Sequence, residues 1–206
     1  MLRINGDAPK ASDSGAGHSH ANASLHAERT ANEELRSAWN RPGGRYSCVM
    51  SERSVEVVRC FNEPHESENV IPWIQAALER VGPDPDAATV LSVWADDPGW
   101  RYGHPEIEWD VSGVGAVGAA ARGARDVAVW WADWVETWRS YIYRMVEYRD
   151  LGEWILTPVD VRAEGREGIS VDMRIFQIWR VQGGQIRAMR AFLSEREALE
   201  AAGSSI

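Results

Sequence analysis

Cysteine is nearly absent: the 206-residue chain holds two, Cys48 and Cys60. They form no CxxC pair and cannot staple a fold of this size, so a structural zinc site is excluded and a reducing compartment suits them. Positive charge is also scarce, with Lys+Arg 22 against Asp+Glu 31 and a formal net charge of -9. That is the wrong sign for the electrostatic footprint of generic nucleic-acid or anionic-membrane binding. Long apolar runs are missing too. A membrane helix needs about 20 predominantly apolar residues, and the N-terminus lacks the compact apolar segment of a signal peptide. These absences point to a soluble, cytoplasmic protein with neither nucleic-acid nor membrane partners. What remains, at 44% hydrophobic and 26% charged residues, suffices for one domain with a sizeable core plus a tail.

Residues 1–49 are rich in Gly, Ser, Ala, Asn and single charges, as in the run Asp13-Ser14-Gly15-Ala16-Gly17. Such a stretch buries too little apolar surface to offset its ordering entropy, and it is expected to be a disordered extension, with a short helix over 28–39. The HxH spacing of His18 and His20, with His26 beyond, reads as part of a solvated tail, since no carboxylate or thiol completes a metal site. The composition changes so abruptly at Met50 that Met50 is also a candidate translation start, which makes residues 50–206 the expected domain. Of the 11 Trp, all but Trp39 lie beyond that point.

The periodicity predicts helices over 54–62, ended by Pro64, over 69–80, stopped at Gly82-Pro83, and over 87–94. A turn at Asp96-Asp97-Pro98-Gly99 and a strand over 106–111 follow. The loop over 112–118 carries Gly113, Gly115 and Gly118 at the GxGxxG spacing. A dinucleotide fingerprint needs a parallel βαβ unit with an acidic residue about 20 positions on, and here a Trp-rich helix and antiparallel hairpins follow. The stretch is expected to be a plain loop, and no cofactor motif remains. Residues 124–138 form the clearest helix, with Val127, Trp130, Trp131, Trp134, Val135 and Trp138 on one face. Four long strands are expected over 140–149, 153–163, 168–181 and 185–193, the last pair joined by the hairpin signal Gln182-Gly183-Gly184. A short helix over 195–202 closes the chain. Helices first and an antiparallel run afterwards define an α+β class.

The ordered set formed by the helix Val55-Glu56-Val57-Val58-Arg59-Cys60-Phe61, the strand Ile107-Glu108-Trp109-Asp110, the hairpin from Ile178 to Ile186 and the tail from Ser194 to Gly203 resembles the SnoaL-like branch of the NTF2-like/ketosteroid isomerase superfamily. The resemblance spans about residues 51–203, with 63–105 longer than the usual helix-to-strand segment. It implies a cone in which N-terminal helices pack in a curved antiparallel sheet, and it implies a homodimer through that sheet. The superfamily includes isomerases, cyclases, hydrolases, dehydratases and non-catalytic domains, so the site must choose between them. In ketosteroid isomerases a Tyr on the first helix and a protonated Asp on a late strand stabilise an enolate oxygen, while a second Asp shuttles the proton. The resemblance puts Phe61 at the Tyr position and Gln177 at the protonated-Asp position. Phe offers no donor, and Gln offers an amide but not that acid. The base position falls at Val111, and alternation turns the neighbouring Asp110 to the opposite side unless a bulge intervenes.

Independently of any family, Gln177 is the one polar side chain on the face Ile169, Val171, Met173, Ile175, Gln177, Trp179, Val181. It reads either as a buried amide bonded to its neighbours or as a ligand anchor in an apolar pocket. Phe61, Trp73, Trp109, Trp130, Trp131, Trp134, Trp179 and Met189 read either as core or as the wall of an aromatic cup for a planar, largely apolar ligand. Asp110 and His104 are the catalytic candidates, with Asp97 nearby at the strand mouth, and no metal ligand set is found. Two functions stay open. One is a SnoaL-like domain binding a small apolar organic ligand, with isomerase, cyclase or hydrolase chemistry; the other is a non-catalytic dimerisation or accessory domain.

Overall fold

The computed structural model describes residues 46–115 and 120–203, with side chains from residue 52 onward. The expected tail helix, the three tail histidines and Gly118 lie outside the described residues. Helix α1 (Tyr46–Asn62) begins eight residues before the expected start and runs through Met50. The apolar spacing marks only its core-facing end, and nothing between Tyr46 and Ser54 is a Pro or Gly that would break it. Val58 and Phe61 face inward, and Asn62 followed by Pro64 turns the chain into a 3-10 turn over Glu63–His65.

Helix α2 (Ile71–Val81) ends at Gly82, whose φ of 84° is in the left-handed region, ahead of Pro83. Helix α3 (Ala87–Ala95) starts where the Asp86 carboxylate accepts from the Thr89 amide at 2.7 Å, as an N-cap should. Strand β1 (Gly103–Gly113) follows a second 3-10 turn at Trp100–Tyr102. Strand β2 (Ala120–Arg122) then pairs back antiparallel onto β1. β1 runs two residues into the expected loop and the chain turns at Val114 and Gly115, while the antiparallel return of β2 is incompatible with a dinucleotide-binding βαβ unit. Helix α4 (Gly123–Thr137) leads into β3 (Trp138–Met145), β4 (Arg149–Asp150), β5 (Trp154–Gly165), β6 (Ser170–Gln182), β7 (Gln185–Phe192) and helix α5 (Glu195–Ala201).

The sheet order is β2-β1-β7-β6-β5-β3, with β4 also on β5, and its edges β2 and β3 are not joined. Every described pairing is antiparallel except β1 with β7, which is parallel. The sheet is therefore mixed: β7 returns beside β1 only after a long crossover, and that connection fixes its direction. Gly183 and Gly184, at φ 63° and 77°, form the two-residue β6–β7 turn that the Gly-Gly signal predicts.

Alternation along β6 explains both sides of the sheet. Ile175, Gln177 and Trp179 point toward α1 to α4, where the main core lies. Phe176 and Ile178 point the other way and pack with Leu156, Ala188 and Ala198 beneath α5. Farther along the outer face, Asp160 sits between Arg144 at 3.0 Å and Arg174 at 2.7 Å, and Arg162 meets Asp172 at 3.2 Å. Such exposed pairs contribute about 0–1 kcal/mol each. Among the described residues, no helix is long and apolar enough to cross a membrane.

One glycine joins the layers by its lack of a side chain. A Cβ on Gly99 would lie 2.5 Å from the Phe61 carbonyl oxygen, so the end of α1 and the entry to β1 can approach only over a glycine. Gly99→Ala should therefore cost about 1–3 kcal/mol in urea unfolding through overpacking; unchanged stability would contradict that close approach.

Candidate functional site

Between the inner face of the sheet and the helices lies a cavity of about 450 Å³. All nine residues expected to form a cup line it: Phe61, Trp73, Trp130, Trp131 and Trp134 from the helices, and Trp109, Gln177, Trp179 and Met189 from the sheet. Strand β6 runs from rim to floor: Ile169, just before it, is 60% exposed, and Trp179 within it is 1% exposed. Trp100, Trp138, Tyr141 and Tyr143 complete the aromatic wall.

The rings meet mostly edge-on or tilted. Centroids lie 4.8 Å apart for Trp130 and Trp131, 4.9 Å for Trp131 and Trp134, 4.9 Å for Phe61 and Trp100, and 4.5 Å for Trp134 and Tyr141. Each contact is of the favourable T-shaped kind, worth about 0.5–1.5 kcal/mol beyond burial. Trp100, Trp109 and Trp131 link these pairs into one network.

Polar groups in this wall divide into satisfied and unsatisfied ones. Trp179 Nε1 donates to Thr157 Oγ1 at 2.9 Å, and the Tyr143 hydroxyl donates to the Asn62 carbonyl at 3.1 Å. Burial pushes the Tyr141 and Tyr143 phenols far up, so both remain protonated donors. By contrast, Gln177 Oε1 and the indole Nε1 of Trp109, Trp131 and Trp138 are buried without a hydrogen-bond partner. The reading of Gln177 as an amide paired with its neighbours thus lacks a partner for its oxygen. No Asp, Glu, Lys or Arg lines the cavity among the described residues, so no carboxylate, ammonium or guanidinium faces it; its wall carries these four unpaired atoms and a fifth, His65 Nε2.

Neither catalytic candidate belongs to this cavity. Asp110 lies on the opposite face of β1, as alternation requires, and accepts from the Ser112 amide at 2.9 Å and hydroxyl at 2.6 Å. The β1–β7 irregularity follows Asp110 and does not turn it inward. His104 holds the rim of β1, where its Nδ1 faces the Glu106 amide and an Arg187 guanidinium nitrogen, each at 2.9 Å. Burial, then the Arg187 charge, lowers its pKa below the ordinary histidine value.

One histidine stands elsewhere on the wall, with a carboxylate behind it. His65, in the 3-10 turn after α1, lines the cavity and stacks on Trp73 with centroids 3.5 Å apart. Its Nε2 faces Asp97 Oδ1 at 3.7 Å. Asp97 Oδ1 also accepts from the Gly99 and Trp100 amides at 2.9 and 2.8 Å, and Oδ2 accepts from Trp73 Nε1 at 2.9 Å. Burial alone would raise this carboxyl, but the His65 imidazole and the two amides outweigh it and hold it below the usual carboxylate range. Sequence reasoning missed His65. The one available signal is its place directly after the helix-ending Pro64, four residues past Phe61, which puts it at the end of the core-facing stripe of α1.

No protein-family model matches the sequence, and no curated protein matches it. Solved structures do resemble it. One is an NTF2-like protein of Burkholderia pseudomallei, 15% identical, covering 72% of this chain and 95% of that one at a TM-score of 0.46. Another, from Jannaschia sp. CCS1 and described as a SnoaL-like polyketide cyclase, is 15% identical and covers 81% and 99% at 0.48. A third, from Catenulispora acidiphila, has a ketosteroid isomerase-like fold and was solved with trimethylamine; it is 12% identical and covers 60% and 96% at 0.42. The chain's own element order, with helices before most of the strands and an open mixed sheet, is of the α+β class expected from the sequence. The cavity occupies the space between helices and sheet.

Two measurements check this electrostatic picture. NMR titration should give His104 a midpoint below about 6.5, the ordinary histidine value; a midpoint above it would contradict the Arg187 contact. For Asp97, the folded-state pKa lies below the unfolded one, so the unfolded state binds more protons between the two values. Its stabilisation is complete above about pH 4 and is lost as pH falls through the folded value. Asp97→Ala, which orphans three buried donors, should cost about 1–3 kcal/mol at pH 7, with a smaller difference from wild type in acid.

Proposed function

We propose that the protein binds a small, neutral, largely apolar organic molecule in the tryptophan-lined cavity. The observation that carries this reading is the combination of about 450 Å³ of space with five buried polar atoms lacking partners, Gln177 Oε1, His65 Nε2 and the Nε1 atoms of Trp109, Trp131 and Trp138. Cavities of about 300–1,000 Å³ with apolar walls and a few placed polar groups are typical of small-molecule sites. A ligand suited to this one has flat apolar rings for the indole faces, an acceptor such as a carbonyl or ether oxygen for the indole N-H groups, and a hydroxyl or N-H for Gln177. The neutral wall argues for an uncharged ligand over an ammonium ion. Isomerase-, cyclase- or hydrolase-type acid–base chemistry belongs to the same reading, as do a homodimer through the sheet, which rests on the sequence resemblance, and a cytoplasmic location, which rests on composition. The opposing reading, a non-catalytic accessory domain with an all-core tryptophan cluster, leaves the open space and the unpaired atoms unexplained.

Intrinsic tryptophan fluorescence titrated with steroids, aromatic polyketides, terpenoid epoxides and small amines should show saturable quenching by a neutral planar class. Gln177→Leu should then stabilise the fold by about 1 kcal/mol, because an unpaired buried amide is removed, while weakening that ligand. Stabilisation with unchanged binding, or no quenching by any class, would favour the accessory domain.

A further inference from the structure

Among the described residues the cavity wall carries one histidine, His65, and the sequence reading did not select it. His65 is brought to the wall by the 3-10 turn after α1, covered on one ring face by Trp73, and set 3.7 Å from Asp97 through Nε2. Neither ring nitrogen forms a hydrogen bond among the described residues, and Nε2 is buried without one, which leaves Nδ1 uncommitted to any protein donor. Three separate segments build this arrangement: the turn carrying His65, α2 carrying Trp73, and the turn after α3 carrying Asp97. Trp73 links the other two, since its Nε1 donates to Asp97 Oδ2 while its ring stacks on His65.

Asp97 is a poor base itself. Both of its oxygens accept hydrogen bonds, and its carboxyl is held low. A fixed carboxylate beside one imidazole nitrogen orients the ring and stabilises the imidazolium formed when the other nitrogen takes a proton. The 3.7 Å separation is long for a hydrogen bond, but catalytic hydrogen bonds often tighten only once substrate is bound. In the same cavity, the free indole N-H groups of Trp109, Trp131 and Trp138 are donors for negative charge developing on a substrate oxygen, in largely apolar surroundings.

We propose that His65 is a general base serving the aromatic cavity, with Asp97 as its positioning residue, and that the substrate is a neutral planar molecule with an acidic C-H bond near an electron-withdrawing group. His65 removes that proton and the electron pair moves toward oxygen. Return of the proton to another carbon gives isomerisation, and departure of an oxygen leaving group gives elimination. No oxidant, reductant or metal enters the balance. The inference rests on ligand binding in the cavity and adds a reaction class and its residues, in place of Asp110 and His104.

Nitrobenzisoxazole is a suitable probe, being neutral, planar and a fluorescence quencher. A base takes its heterocyclic C-H proton, the C-H electrons form the nitrile, the N-O bond breaks, and the coloured cyanonitrophenolate leaves. Wild-type protein should quench saturably and turn the probe over above buffer background. His65→Gln and His65→Ala should keep the quenching, which also reports that they fold, and lose at least about 100-fold in kcat, the lower range for general base catalysis. Added imidazole should restore part of the rate to His65→Ala and none to His65→Gln, whose side chain still fills the space. Asp97→Asn should lower kcat more than it changes KM. Quenching without turnover, or turnover unchanged in both His65 variants, would overturn the inference while leaving the binding site intact. Absence of quenching would overturn both.

Discussion

Flat, rigid indole rings that meet edge-on cannot interdigitate as branched aliphatic chains do, and the site depends on this constraint. Trp130, Trp131 and Trp134 on α4 face Trp109, Trp138 and Trp179 from the sheet in contacts that fix each ring by its neighbours. Together they form a continuous wall around a space they do not fill. In a core of Leu and Val the sheet and helices would close upon one another to ordinary packing density. Here the ring network acts as a frame, and the space inside it is part of the fold.

The frame is anchored at its closed end by a few polar contacts whose geometry leaves little freedom. Asp97 collects Trp73, Gly99 and Trp100 around one carboxylate, and Gly99 in turn lies against the Phe61 carbonyl. Trp100 then packs edge-on against Phe61. The end of α1, the first turn of α2 and the entry to β1 are thus held at one point, and His65 lines the cavity beside it. Structural and chemical roles overlap there, so a change at Asp97 acts on stability and on the cavity wall together.

Much of this was legible in the sequence. Period-two alternation gave β6 its two faces, and the residues expected inward are the ones that line the cavity from Ile169 to Trp179. The indole stripe of α4 and the Gly-Gly turn were equally local signals, read from neighbours a few residues apart. The parallel β1–β7 pairing was not legible, because strand direction there depends on where a long crossover ends. Nor was the His65–Asp97 contact, which joins residues 32 positions apart through turns that have no periodicity. Asp110 and His104 attracted attention because they are titratable and close to Trp109 in sequence, yet alternation puts Asp110 outside and the rim holds His104 against Arg187.

The central claim is that the unpaired indole donors belong to a ligand site, and it can be read directly from the indole N-H signals in a proton–nitrogen correlation spectrum. Adding the organic compound that quenches fluorescence most strongly should move the Trp109, Trp131 and Trp138 signals together. Those of Trp154 on the outer face and Trp179, already bonded to Thr157, should move little. Movement of Trp154 alone, or no movement of the three cavity indoles, would contradict the account.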